Sequence, residues 1–137
     1  MIEVQVFKTS FSDYDLNAFQ ATISALIEDQ NKEEGELNLV FCSDDYLLEI
    51  NKKHLNHDYY TDIITFDYSE KKKISGDLLI SIDRVKENAK TFSVSFIHEL
   101  NRVVIHGVLH LCGYKDKTEE EKKQMRNLEN KYLKTIF

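Results

Sequence analysis

The amino-acid sequence predicts a small α+β fold, in which a mixed central sheet of about four strands packs against helices. Apolar residues alternate with polar ones, or run together, in four short segments typical of strands. Elsewhere they recur every three or four residues, as on one face of a helix. The 137 residues contain no proline and only four glycines, and no stretch resembles a linker. We therefore expect one continuous domain over residues 1–137.

The predicted elements follow the order βαβαββααα along the chain. Each boundary is marked by a capping residue, a glycine or a polar turn. The predicted elements are a strand at 2–6, a helix from Asp13 or Asp15 to Ile27, a strand at 37–41 after a break at Gly35, a short helix opened by Ser43, a hairpin of strands at 61–68 and 74–82, a helix capped by Asp83 that ends at Phe92, a helix at 95–112 ended by Gly113, and a final helix opened by a capping box from Thr118 to Glu121.

Composition predicts the compartment. No apolar run approaches the roughly 20 residues that span a bilayer. The first residues lack the charged start of a signal peptide. We therefore expect a cytoplasmic protein with no membrane partner. Cys42 and Cys112 both lie in apolar stretches, which favours buried thiols over a disulfide.

Charge is unevenly distributed along the chain, although its formal net value is −6. Residues 1–50 hold 2 Lys and 11 acidic residues, whereas residues 51–137 hold 16 Lys and Arg against 13 acidic residues. The second half could therefore present a basic face to phosphates. Solvated surface lysines would give the same composition, so charge alone does not identify the partner.

The helix at 95–112 carries most of the chemical information. Leu100, Val104, Val108 and Leu111 fall on one side and predict a core-facing stripe. The helix is apolar nearly all round, which is typical of a buried helix, and its one narrow polar seam needs partners. The seam consists of Glu99, Arg102, His106 and His110.

Three residues in and after this helix have the spacing of metal ligands. His106 and His110 lie one helical turn apart, so both imidazoles can reach one ion. Gly113 allows a sharp turn, and Asp116 follows three residues later. Three protein ligands with a fourth position open to water are typical of catalytic zinc. Two histidines and a carboxylate also suit iron or manganese, so another divalent metal is the alternative.

What surrounds the two histidines argues against a peptidase. Metalloproteases place a general-base glutamate directly after the first histidine, where this chain has Gly107. Glycine inside a helix costs roughly 1 kcal/mol relative to alanine. We therefore expect a substrate or a neighbouring strand to approach the backbone at Gly107. The remaining histidines lack comparable neighbours and are expected to be ordinary surface or core residues: His54, His57 and His98.

Three motifs of this chain match those of one known protein family. The signature His-Gly-x-Leu-His-Leu-x-Gly-Tyr-Asp-His is similar to residues 106–116, where Asp116 stands in place of the last histidine. Thr-Asp-Val-Leu-Ser-Phe is similar to residues 61–66, and Gly-Asp-Ile-x-Ile-Ser to residues 76–81. With these motifs the chain resembles the YbeY family of bacterial metal-dependent endoribonucleases. Met125 and Glu129 also fit the family, and the resemblance covers nearly the whole chain.

The resemblance implies a zinc-dependent nuclease that cleaves single-stranded RNA during rRNA maturation and ribosome biogenesis. The implied partners are an rRNA precursor and a ribosomal subunit or ribosome-associated proteins. By position, the implied metal ligands are His106, His110 and Asp116. The family tends to carry an arginine before the Thr-Asp motif, but residues 55–60 have none. Arg102, beside His106 on the seam, is the candidate to contact a phosphate instead.

Two other functions remain open at this point. The first is a non-catalytic ribosome-biogenesis module that binds RNA or protein and uses the metal only to fasten the turn at 113–118. The second is a metal hydrolase of a non-RNA substrate, which the absence of the peptidase glutamate disfavours. Metal removal from a binding module would lower its stability although the protein never cuts RNA. A substrate screen that includes RNA would identify a hydrolase of another substrate.

Overall fold

The computed structural model describes residues 1–7, 9 and 16–135, and within them the predicted order of elements is confirmed. Four strands form one sheet, and five helices accompany it. The candidate caps Asp13 and Asp15 lie outside the described residues. The elements are β1 (Ile2–Phe7), α1 (Leu16–Asp29), β2 (Glu33–Cys42), α2 (Asp44–Leu55), β3 (Ile63–Asp67), β4 (Lys73–Ser81), α3 (Ile82–Thr91), α4 (Phe96–Leu111) and α5 (Glu119–Thr135).

The sheet is mixed, with the strand order β1-β2-β4-β3. β2 lies between β1 and β4 and is parallel to both of them. β3 is the antiparallel partner of β4, which confirms the predicted hairpin. The helices that link parallel strands cover the faces of the sheet, as such connections require. The structure therefore confirms the predicted fold class.

The strand predicted to begin after Gly35 begins earlier, at Glu33, so the predicted break is wrong. The pairing of β2 with β4 shifts register between Glu34 and Leu37, and Gly35 lies in this irregularity. A Cβ atom at Gly35 would lie 2.7 Å from the carbonyl oxygen of Ile74. Glycine here permits the close approach of β4, so it continues the strand through a bulge instead of ending it.

The helices cover the two faces of the sheet unequally. The larger core lies between the sheet, α1 and α4, and it includes Leu39 and Phe41 of β2. Alternate residues of β2, such as Cys42, join a smaller cluster beneath α2. The predicted core stripe of α4 is buried as expected. Its members are Leu100, Val104, Val108 and Leu111.

Two of the predicted helix caps are confirmed, and one is wrong. Ser43 caps α2, and Thr118 and Glu121 exchange the two hydrogen bonds of a capping box. The predicted cap Asp83 is wrong, because Ser81 accepts the hydrogen bond from Arg84 N at 3.1 Å. β4 passes into α3 without a linker, so the cap is the last residue of the strand. Asp83 lies in the first turn and accepts from Asp44 N at 2.9 Å.

Two further expectations concern the thiols and the membrane. Cys42 and Cys112 are both free, as expected, and Cys42 is buried. Burial raises the pKa of Cys42 to about 12 and that of Cys112 to about 11. Among the described helices, none combines the length and the apolar character that a bilayer crossing requires.

Candidate metal centre

The polar seam of α4 lies beside α5 and the turn between these helices. α4 starts at the cap Ser95, whose hydroxyl accepts a hydrogen bond from His98 N at 3.1 Å. It ends at Cys112, and Gly113 follows with a φ of +107°, a conformation that side chains disfavour. Gly113 N and Tyr114 N donate to the last carbonyls of the helix. This reversal returns the chain toward the histidines.

The structure brings the three predicted ligands together. Nε2 of His106 and Nε2 of His110 lie 3.0 Å apart. Oδ2 of Asp116 lies 3.3 Å from the former and 3.4 Å from the latter. Ligands at 2.0–2.1 Å from a tetrahedral ion would be about 3.3 Å from one another. The triangle therefore has the dimensions of one face of a zinc tetrahedron, and this group could hold a metal ion.

Both imidazoles are oriented by acceptors on their far side. Nδ1 of His106 lies 2.7 Å from Oε2 of Glu129. Nδ1 of His110 lies 2.9 Å from the carbonyl oxygen of Tyr114. Because an ionised carboxylate and a carbonyl only accept, each Nδ1 carries the hydrogen, and the Nε2 atom of each ring faces inward. Two imidazole nitrogens and a carboxylate oxygen at these distances fit around one cation.

Arg102 joins the centre to a second buried carboxylate. Its Nε and Nη2 donate to the two oxygens of Glu99 at 2.9 and 2.6 Å. Its Nη1 donates to Glu129 at 3.1 Å. Donating these hydrogen bonds to Glu99 raises the pKa of Arg102 further above its usual range, so the charge is permanent. Glu99, Arg102, Glu129 and His106 thus form one continuous chain of charge-assisted contacts.

Electrostatics keep Glu129 ionised although the residue is buried. Burial acts to raise the pKa of Glu129, but the hydrogen bond with His106 and the charges of His106 and Arg102 outweigh it. The resulting pKa of Glu129 lies below its usual range. An ionised Glu129 is a strong acceptor for the Nδ1 hydrogen of His106. The carboxylate is therefore suited to hold the ring in its metal-binding tautomer.

A cavity of about 250 Å³ adjoins the centre and reveals a residue to which the sequence assigned no role. Asp62, just before β3, lines this cavity with Arg102, Val103 and His106. Burial raises the pKa of the Asp62 carboxyl, against the opposing charges of Arg102 and His106. The Thr-Asp motif already marked this residue, but no sequence spacing connected it with the histidines.

Gly107 explains how Asp62 comes so close to α4. A Cβ atom on Gly107 would lie 2.7 Å from Ile63 Cδ1 and 2.9 Å from Leu78 Cδ2. The expected approach to this glycine therefore comes from side chains of β3 and β4. Since Ile63 directly follows Asp62, this packing also sets the distance between Asp62 and the metal centre. The other histidines are exposed, as expected of ordinary surface residues: His54, His57 and His98.

The comparisons with known proteins agree with this geometry. A model of the family described as Endoribonuclease YbeY matches residues 3–136. This chain belongs to the YbeY endoribonuclease family. It is 50% identical to the endoribonuclease YbeY of Flavobacterium johnsoniae over 127 residues, which are 93% of this chain and 91% of the relative. It is 56% identical to the YbeY of Flavobacterium psychrophilum over 112 residues, 82% of this chain and 80% of the relative.

The YbeY assignment also has a structural counterpart. The solution structure of TM1509 from Thermotoga maritima resembles this protein with a TM-score of 0.70. The two sequences are 26% identical, and the match covers 97% of this chain and 88% of TM1509. The YbeY family model and the shared fold thus span nearly the same residues, including the helix, the turn and the final helix that carry the candidate metal ligands and Glu129.

Proposed function

We propose that this protein is a zinc-dependent endoribonuclease that cleaves single-stranded RNA during rRNA maturation in the cytoplasm. The observation that carries the proposal is the triangle of His106, His110 and Asp116, whose edges match a tetrahedral zinc site. Membership of the YbeY family supplies the reaction class. An rRNA precursor, within or beside a ribosomal subunit, is the proposed partner. Iron or manganese is the alternative to zinc.

We assign the residues of the centre complementary tasks. His106, His110 and Asp116 would hold the ion, while Glu129 and the Tyr114 carbonyl keep both Nε2 atoms directed at it. A bound zinc ion supplies a Lewis acid for the phosphodiester and makes water more acidic. The three ligands are partly exposed, with side-chain values of 20, 28 and 39%. RNA can therefore reach the open side of the centre.

Asp62 is our candidate for proton transfer. Asp62 lines the cavity next to His106, and burial raises the pKa of its carboxyl. The change Asp62→Asn preserves the shape but removes the ionisable group. General acid–base catalysis is typically worth about 10²–10⁴-fold, so kcat should fall by about that factor. Bound zinc should be unchanged, and a variant that retains both kcat and its pH profile would contradict the assignment.

The phosphate contact of Arg102 stays a prediction. Its side chain is 14% exposed and its guanidinium is already bound to Glu99 and Glu129. These contacts favour a positioning role, in which Arg102 holds Glu129 and thereby His106. The change Arg102→Lys should then weaken metal binding. A change in the KM for RNA with unchanged metal affinity would favour the phosphate contact.

The proposed activity can be tested with labelled RNA and one set of variants. Purified protein is incubated with single-stranded RNA, and with the same sequence as a duplex, before and after chelation and zinc addition. Wild type should cut the single strand only with metal, and the combined changes His106→Ala, His110→Ala and Asp116→Ala should abolish both cutting and bound zinc. If the triple variant keeps both properties, the proposal is wrong. Elemental analysis of Asp116→Ala separately tests Asp116, since stoichiometric zinc in that variant would remove it from the ligand set.

A further inference from the structure

The loop between α2 and β3 presents aromatic rings to solvent at residues 56–60, shortly before the cavity-lining Asp62. Tyr59 is 56% exposed and Tyr60 is 47% exposed. Large aromatic side chains gain much free energy from burial, so two adjacent exposed rings suggest a surface that is covered in a complex. The chemistry of that complex follows from how the rings are held and from what lies next to them.

The loop has a fixed shape that depends on one buried amide. Asn51 is 1% exposed, and its Nδ2 donates to the carbonyl oxygen of Tyr59 at 2.9 Å. The backbone carbonyl of Asn51 accepts hydrogen bonds from Asn56 N and His57 N. Asn56 has a φ of 58°, the left-handed conformation that asparagine tolerates. Because both ends of the loop are tied to Asn51, the rings are positioned before a ligand arrives, which lowers the entropic cost of binding.

Each ring is backed by a cationic or aromatic group. The rings of His57 and Tyr59 stack at 5.1 Å between centroids with an angle of 22°. The guanidinium carbon of Arg84 lies 5.3 Å from the centroid of Tyr60. Arg84 is itself held by Asp44, with 2.7 Å between Nη2 and Oδ2. Rings supported in this way resemble the stacking surfaces on which proteins hold unpaired bases.

The loop leads directly into the cavity beside the metal centre. Tyr60 is two residues from Asp62, so their Cα atoms are at most about 7 Å apart. Asp62 lines the cavity with His106. Asn88 Nδ2 approaches Asp62 Oδ2 at 3.5 Å, and Arg84 lies one helical turn before Asn88 on α3. The loop that carries the exposed rings therefore leads, two residues after Tyr60, to a residue that lines the proposed catalytic cavity.

The charges around the loop favour a base over a phosphate as the contacting group. Lys52 is paired with Asp58 at 3.4 Å, and Arg84 with Asp44. Both cations thus already have carboxylate partners. A surface with paired charges and exposed rings gains more from stacking than from counterion release.

We propose that residues 57–60 form a base-stacking platform that holds unpaired bases of the RNA next to the scissile phosphate. This inference rests on the proposed nuclease function and adds the reason for a single-strand preference. Bases within a duplex are stacked on each other and cannot lie on Tyr59 and Tyr60. The platform recognises the aromatic faces of bases, so it tolerates different sequences.

Binding can be measured on the unmodified, zinc-loaded protein. The probe is a short single-stranded RNA that contains 2-aminopurine, read by stopped-flow fluorescence before product accumulates. We expect quenching of the fluorescence on binding, much weaker binding of an oligonucleotide with abasic positions, and little binding of the duplex. Equal affinity for the abasic strand would overturn the platform. This result is independent of cleavage, so a protein that binds bases but never cuts would refute only the nuclease function.

Variants then locate the platform. The double change Tyr59→Leu and Tyr60→Leu should weaken binding about tenfold or more, since stacking contributes about 1–3 kcal/mol per base. The double change to Phe keeps the rings and should bind like wild type. Tyr68→Leu is the matched control, because Tyr68 is 62% exposed but lies at the opposite end of β3. Unchanged affinity in the folded Leu variant, or equal loss in the Tyr68 control, would contradict the proposal.

Discussion

The two histidines of the metal centre are oriented by acceptors of different kinds. His110 relies on a backbone carbonyl, which no substitution at Tyr114 removes directly. His106 relies on the carboxylate of Glu129, which a single substitution can change. Glu129 in turn is paired with Arg102, so the orientation of the His106 ring depends on two charged side chains. At the scale of single residues, Glu129 is therefore the place to test how the centre is tuned.

The change Glu129→Gln should weaken zinc binding by about 10- to 100-fold, because groups that hydrogen-bond a metal ligand typically contribute that much. The amide is a poorer acceptor for His106 and leaves Arg102 with one carboxylate fewer. Competition with a chromophoric chelator measures the affinity. Glu120→Gln, an exposed position on the same helix, is the matched control. Equal affinities in all three proteins would show that Glu129 does not support the ligand.

The same carboxylate predicts how the metal-free protein responds to acid. The pKa of Glu129 lies below its ordinary value of about 4.3. Its ionised form therefore stabilises the fold above about pH 4.3, and this contribution is lost as the pH falls through the lowered value. In urea unfolding, wild type should have a larger free energy of unfolding than Glu129→Gln at pH 7, and this difference should become smaller as the pH falls. A difference that stayed constant down to pH 3 would contradict the assignment.

At the scale of elements, α4 and the turn after it could be predicted, whereas their partners could not. The apolar stripe, the polar seam and the helix end at Gly113 all belong to α4 and the turn after it. Within one helix and its turn, residue spacing fixes geometry. Glu129 comes from another helix, 23 positions from His106, and Asp62 from the start of a strand. Their approach depends on how α5 and β3 pack against α4. Sequence spacing carries no information about that packing.

Gly113 links the helix end to the third ligand. Its φ of +107° strains any other residue, although no atom within 4 Å would contact a Cβ there. Gly113→Ala should therefore cost about 1–3 kcal/mol in the free energy of unfolding and also weaken zinc binding, because the turn presents Asp116. Chemical denaturation and chelator competition measure the two effects. Lys115→Ala, in the same turn, should change neither the free energy of unfolding nor the zinc affinity. If Gly113→Ala leaves both quantities unchanged, the turn tolerates a side chain at this position.

For the whole molecule, metal binding should increase the free energy of unfolding. The triangle of candidate ligands forms only in the folded chain, so zinc held there would bind the native state in preference to the unfolded one. At free zinc of 100 times the Kd, the expected gain is about 2.7 kcal/mol in the free energy of unfolding. Urea unfolding with and without zinc tests this. The double change His106→Ala and His110→Ala should remove the gain, and a similar gain in that variant would place the bound zinc elsewhere.

The architecture could largely be predicted at this scale because hydrophobic periodicity identified every strand and helix. The errors at Gly35 and Asp83 arose where two strands approach closely and where β4 runs into α3 without a turn. Both depend on contacts between distant segments. The sequence marked residues 55–60 only for their missing arginine, since the exposure of their rings follows from the tertiary fold.

The parallel pairing of β2 with β4 bears on how fast the chain folds. Glu33 pairs with Lys73, while α2 and β3 occupy the intervening sequence. The central strands can meet only after a long segment has closed into a loop, and such non-local pairing slows folding. With no proline in the sequence, strand pairing is not masked by slow prolyl isomerisation. Refolding after rapid dilution from urea should therefore report directly the time that the two halves of the sheet need to find each other.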